Sequence, residues 1–169
     1  MRRIAERIDL ASRAVDALLS LLVPALVLLC FVLVLGRYLL DANSIAAQEA
    51  LQWLHSLVFL LGAAGTLRAG KHVRVDVLQQ RWSARTRAAV DIGGYLLCVL
   101  PFAVFMLWIS LDYVAASWAL GESSRDPGGL PAVYLLKSLI PVAALLLALQ
   151  AVAELLRCVV ALREPAPAP

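Results

Sequence analysis

Three kinds of side chain in this sequence could do chemistry: two histidines, three cysteines and a short run of amides and carboxylates. The run is the most ordered. Gln48, Gln52 and His55 recur at i, i+4 and i+7, so a helix would carry them on one face, and Glu49, Trp53 and Ser56 form the adjoining stripe. Amides, an imidazole and a single carboxylate at this spacing are suited to hydrogen bonding. A bis-histidine haem needs a second intramembrane histidine, and His72 falls in a basic loop. Cys30, Cys98 and Cys158 form no CxxC pair, so thiol redox chemistry lacks its paired, activated thiols and small apolar fillers are the simpler reading. There is no Ser-His-Asp set, metal-ligand cluster or Gly-rich phosphate loop, so no enzyme activity and no cofactor are expected.

The elements that must position these residues are apolar. Of the 169 residues, 62% are hydrophobic and 16% charged, against roughly 25% charged in an ordinary soluble domain. Mean hydropathy is +0.84. The net charge of +3 does not make a nucleic-acid-binding surface, because long uncharged runs separate the basic residues. Four runs carry little or no charge: Ala17–Gly36, Ala50–Leu67, Ile92–Leu111 and Ser138–Ala153. A bilayer core about 30 Å thick takes about 20 such residues as a helix. The sequence therefore predicts an all-α integral membrane protein with four transmembrane helices, at about 15–36, 45–67, 90–118 and 132–156, in one domain spanning 1–160. Residues 161–169 read as a disordered Pro/Ala tail. The basic amino terminus is not read as a signal peptide, since its apolar run is too long and lacks a cleavage site.

Twelve of the fifteen Lys and Arg residues fall before the first span, between the second and third, or after the fourth. The positive-inside rule places both termini in the cytoplasm. Asn43 or Ser44 can cap the second span. Its polar stripes either satisfy one another within a self-contained bundle or face another protein. Lower on this span Gly62 and Thr66 make a small-xxx-small pair suited to close helix contact. In the cytoplasmic loop Val75, Leu78 and Trp82 share a face opposite most of the arginines, which suits an interfacial amphipathic helix anchored in the lipid bilayer by Trp82. On the outer side Asp126-Pro127-Gly128-Gly129 is a strong turn signal in a loop open to docking. Pro24, Pro101 and Pro141 each free a helix carbonyl, a break that membrane helices tolerate. With no central acidic residue, a transporter acting alone is a poor fit and a partner subunit a reasonable one.

The stretch SIAAQEALQWLHSLVFLLGAAGTLRAGKHVRVDVL resembles the second helix and first cytoplasmic loop of the small permease subunit of TRAP transporters, the DctQ-like family. The shared pattern is a Ser, an acidic pair, an aromatic-rich helix ending in L-G-A-A, then a basic turn and H-x-x-V-D, here His72 to Asp76. The stretch SWALGESSRDPGGLPAVYLLKSLIPVAALLLALQAV is similar to a subgroup labelled mannitol/chloroaromatic, which includes 2-oxo-acid systems. The resemblance covers roughly residues 15–160. Many members have Glu-Glu where this chain has Gln48-Glu49, and Gln there is common in the similar subgroup. The resemblance implies a tripartite, ATP-independent system in the bacterial inner membrane. A periplasmic solute-binding receptor captures an organic acid, of the 2-oxo or 2-hydroxy type, and a large permease carries the substrate and sodium sites. The small permease is the large one's scaffold, without catalysis of its own. On this reading Gln48, Glu49, Gln52 and His55, with Gly62 and Thr66, are the candidate contacts to the large permease, and His72, Arg74 and Asp76 set the cytoplasmic end of helix 2 against its loop. The alternative is a stand-alone small four-helix exporter.

Overall fold

The computed structural model describes residues 2–69 and 82–163. All regular structure in these residues is helical. Helix α1 is Arg2–Leu40, α2 is Ile45–Arg68, and α4 is Val133–Arg163. Between them α3 runs without a break through Ala84–Gly94, a π-helical turn at Tyr95–Val99, and Leu100–Leu120. Each of the four is long and apolar enough to cross a membrane.

Local chemistry explains the ends. Ser44, in extended conformation, caps α2 by accepting the Ala47 N–H at 3.3 Å. Asn43 instead accepts a hydrogen bond from the Gln48 amide. Ser83 caps α3 through the Thr86 N–H at 3.1 Å. The π turn ends two residues before Pro101, whose ring crowds the carbonyl four residues back. There the ladder widens, and the Leu100 N–H reaches Tyr95 O. Gly121 closes α3 at φ 56°, with its own N–H on Trp118 O and that of Glu122 on Ser117 O, both at 3.1 Å. That left-handed step suits glycine.

Three helices run further than hydropathy predicts, and α3 spans Ala84–Leu120 where 90–118 was expected. The first starts at Arg2 rather than near residue 15, and the last continues to Arg163 rather than stopping at 156, taking in the first three residues of the expected tail. At 39 residues, α1 is roughly 58 Å long, about twice the hydrocarbon thickness.

The helices are not equivalent neighbours. α1, α2 and α4 touch one another, while α3 packs along α4. One apolar cluster joins Leu19, Leu61 and Ala143 from the trio. A second joins Leu67, Tyr95 and Ala151, bringing in α3. Ala103, Ala151 and Ala153 are fully buried; small side chains let membrane helices approach without a hydrophobic drive between them. The outer surface of the helices holds Leu21, Phe31, Leu97, Phe102 and Trp108, all well exposed. The start of α1 and the end of α4 lie at one end of the helices. The connections at 41–44 and 121–132 lie at the other, called the loop end below.

Candidate functional site

The loop end is organised around one carboxylate. Glu49 sits in the first turns of α2 and both its oxygens are engaged within the chain. Oε2 accepts the Leu130 N–H at 2.6 Å and Oε1 accepts the Ser124 hydroxyl. The connection from α3 to α4 is thereby tied to α2 across the top of the trio. Its turn is Asp126-Pro127-Gly128-Gly129, with Gly129 N–H on Asp126 O at 3.0 Å and Gly128 at φ 80°, a type II geometry that needs glycine in third place. Gly129 has a second constraint. A Cβ there would lie 2.3 Å from Ser124 Oγ and 2.7 Å from Glu49 Oε1. Asp126, Pro127 and Gly128 remain exposed.

A second tie holds the same connection to α4. The Ser117 hydroxyl donates to Glu122 Oε2 at 2.6 Å and the Lys137 ammonium does so at 2.5 Å. Lys137 also lies 4.2 Å above the Tyr113 ring, a cation–π contact. The Lys137 ammonium, and after it the Ser117 hydroxyl, hold the Glu122 carboxyl below the ordinary glutamate value. Trp118 Nε1 donates to Ser138 Oγ at 2.9 Å, and its ring meets Tyr134 at 4.5 Å between centroids.

The remaining polar residues of α2 part company. Gln48 is half-buried and occupied by Asn43. Trp53 turns toward α4 and lines an apolar cleft with Leu57, Leu130 and Leu139. Gln52 and His55 are exposed. His55 stacks on Phe59, centroids 6.4 Å apart, and no hydrogen bond joins Gln52 or His55 to another described residue. With Ser56 they form the α2 wall of an open groove of about 850 Å³, whose α1 wall is Leu26, Val27, Cys30, Phe31 and Val34. The two adjoining stripes predicted from spacing thus serve different ends: Glu49 ties the fold, and Gln52 and His55 face outward within the apolar span.

The small-residue pair behaves similarly. Gly62 faces α1, where a Cβ would rest 3.6 Å from Leu19. Thr66 is exposed and its hydroxyl bonds back to Ala63 O at 2.8 Å. The close approach is at Gly65, which sequence reasoning passed over. A Cβ there would lie 1.9 Å from Asp16 Oδ1, and Asp16 pairs with Arg68 at 2.5 Å.

Beside that pair, at the end bearing the termini, lies a polar network also missed. Gln150 of α4 is fully buried. It accepts the Ser12 hydroxyl at 2.7 Å and donates to Asp9 at 3.3 Å and to Glu154 at 3.0 Å. Arg157 pairs with both Asp9 and Glu154. A signal existed: Asp9, Ser12 and Asp16 stand at i, i+3 and i+7, and Gln150, Glu154 and Arg157 at i, i+4 and i+7, the spacing that made α2 conspicuous.

His72, Arg74 and Asp76, and most of the expected interfacial helix, lie outside the described residues. Trp82 stands partly exposed just before α3. Among the described residues no group of three or more His, Cys, Asp or Glu could hold a metal ion.

This arrangement is a framework of helices able to cross a membrane, with internal ties at both ends and, among the described residues, an outward face at Gln52 and His55 without hydrogen-bond partners. No curated protein matches the chain. A family model does, over residues 26–161, that of the DctQ component of tripartite ATP-independent periplasmic transporters. The match takes in the Glu49 tie, the outward face of α2 and α3 with its partner α4, and on that evidence the chain belongs to the DctQ family, as the small permease component of such a transporter.

Proposed function

We propose that this chain is the scaffold on which a large permease works, in a system that takes up an organic acid with sodium. It has both termini in the cytoplasm of a bacterial cell, following the basic residues, and sits in the inner membrane. A periplasmic receptor delivers the substrate, a 2-oxo or 2-hydroxy carboxylate. The receptor meets the loop end, where Asp126, Pro127 and Gly128 stand exposed on a connection held rigid by Glu49 and Glu122.

One observation carries the subunit reading. Gln52 and His55 are exposed within a membrane-spanning helix and lack a hydrogen-bond partner in the described chain. Amide and imidazole groups at that depth need one. In a family whose members act as components, the large permease supplies it. The internal ties at either end suit a scaffold, since they keep that face in a constant position while a neighbour moves.

The test is sodium-driven uptake of a 2-oxo acid into proteoliposomes holding the large permease and receptor encoded beside this chain, with and without it. Uptake should require all three proteins, and Gln52→Leu with His55→Leu should lower recovery of the complex. Full uptake in the absence of this chain, together with no co-purification, would refute the scaffold reading.

A further inference from the structure

We propose that the groove between the loop-end halves of α1 and α2 holds one glycerophospholipid, its acyl chain in the groove and its phosphate on Arg37. The apolar groove does not end blindly. Cys30, Val34 and Leu51 belong both to it and to a smaller pocket of about 260 Å³ at the loop end. There the lining changes to Arg37, Tyr38, Asn43 and Ser44. One continuous depression therefore passes from hydrocarbon-like walls to a guanidinium and hydroxyl groups.

Its length fits the ligand. From Leu26 to Arg37 α1 advances eleven residues, roughly 16 Å, and half of a 30 Å hydrocarbon core is about 15 Å. The uncharged run of α1 ends at Gly36, so Arg37 stands where that core meets the headgroups. Arg37 is exposed, and no ion pair joins it to another described residue. A guanidinium offers two parallel donors to a phosphate. A phosphate there accounts for an arginine that no ion pair joins to another described residue, on the rim of an apolar groove.

The walls favour a lipid over a helix. The helix contacts within this fold set small residues such as Ala103, Ala151 and Gly65 beside their larger apolar neighbours, which lets backbones come close. The groove presents Leu26, Val27, Phe31 and Val34 instead. Such branched and aromatic walls suit a flexible chain.

Native mass spectrometry of the full chain, purified in mild detergent and titrated with phosphatidylglycerol or phosphatidylethanolamine, tests this directly. The wild type should retain one phospholipid. Arg37→Ala, a surface change, should weaken retention about fivefold, the effect of one arginine near a phosphate-bearing surface. Val34→Trp should abolish it by filling the groove, and Arg125→Ala, at the same end but outside the groove, should leave it unchanged. Equal retention of the two lipids means that the phosphodiester alone is read; a preference for phosphatidylglycerol means that net charge is read too. Retention that Arg37→Ala and Val34→Trp both leave intact overturns the proposal. So does a Val34→Trp chain that keeps its lipid but no longer co-purifies with the large permease, which would make the groove a helix seat and leave the subunit reading standing.

Discussion

Replacing Gln150 by Leu should destabilise the protein by about 2 kcal/mol, although the side chain touches no lipid and no partner surface. Gln150 makes three hydrogen bonds, and two of them, to Ser12 and Asp9, cross from α4 to α1. Hydrogen bonds between membrane helices average about 0.6 kcal/mol and reach about 1.7. Leu has nearly the volume of Gln, so the cavity contribution is small. Ser12 is buried, and its hydroxyl would lose its acceptor, a loss in the range of about 1–3 kcal/mol. Asp9 and Glu154 keep Arg157, so their share is minor. The assay is reversible denaturation in mixed micelles followed by helical circular dichroism. A cycle of Ser12→Ala, Gln150→Leu and the double variant isolates the pair, and its coupling should fall between about 0.6 and 1.7 kcal/mol. Val104→Ala, on an exposed face of α3, should change stability by less than about 0.5 kcal/mol. If Gln150→Leu is as mild as that control, or if it and Ser12→Ala are additive within about 0.3 kcal/mol, the network does not hold α1 to α4 and the reasoning fails.

Gly65→Ala should cost about 1–3 kcal/mol in the same denaturation assay, since its Cβ would overlap the Asp16 carboxylate and force it from Arg68; a neutral result would mean that the pair does not set the α1–α2 spacing. Glu49→Ala should speed amide hydrogen exchange at Leu130, whose N–H it frees, and leave the middle of α2 protected; unchanged exchange would show that the connection is held by other contacts. Gly129→Ala should loosen the same connection, by displacing Ser124 and Glu49 together. The tie through Glu122 has a pH signature. Its folded carboxyl lies below the ordinary value of 4.5, so its contribution is fully present above that value and is lost as pH falls through the lowered one. Exchange at the Val133 amide, bonded to Glu122 O at 2.8 Å and corrected for intrinsic pH dependence, should therefore stay slow down to about pH 4.5 and rise below it. Glu122→Gln should remove that transition, and a transition that persists in this variant would assign it to another group.

Much of the architecture was legible because it is local. Four runs with little or no charge, each close to the length a bilayer needs, specify four spans with no reference to neighbours. Ser44 announces the start of α2, and Pro127 with Gly128 announces the turn, because caps and turns are settled within four residues. Hydropathy alone did not reveal that α1 continues to Arg2. That prefix is polar, and it lies alongside α4 through Asp9 and Ser12.

The sequence by itself determined the membrane class, the number of crossings, the polar character of α2 and the family resemblance. Only the tertiary structure decided which polar residues serve the fold and which face outward. Gln48, Gln52 and His55 share one helical stripe and Glu49 heads the adjoining one, yet Glu49 is consumed by a loop 75–81 positions away, while no hydrogen bond joins Gln52 or His55 to another described residue. Asp16 with Arg68, and Gln150 with Ser12, are likewise pairings across 52 and 138 positions. Spacing along one helix reports which side chains share its face. It is silent on how that helix is rotated against its neighbours, and the rotation decides whether a polar group meets a carboxylate, a carbonyl or lipid.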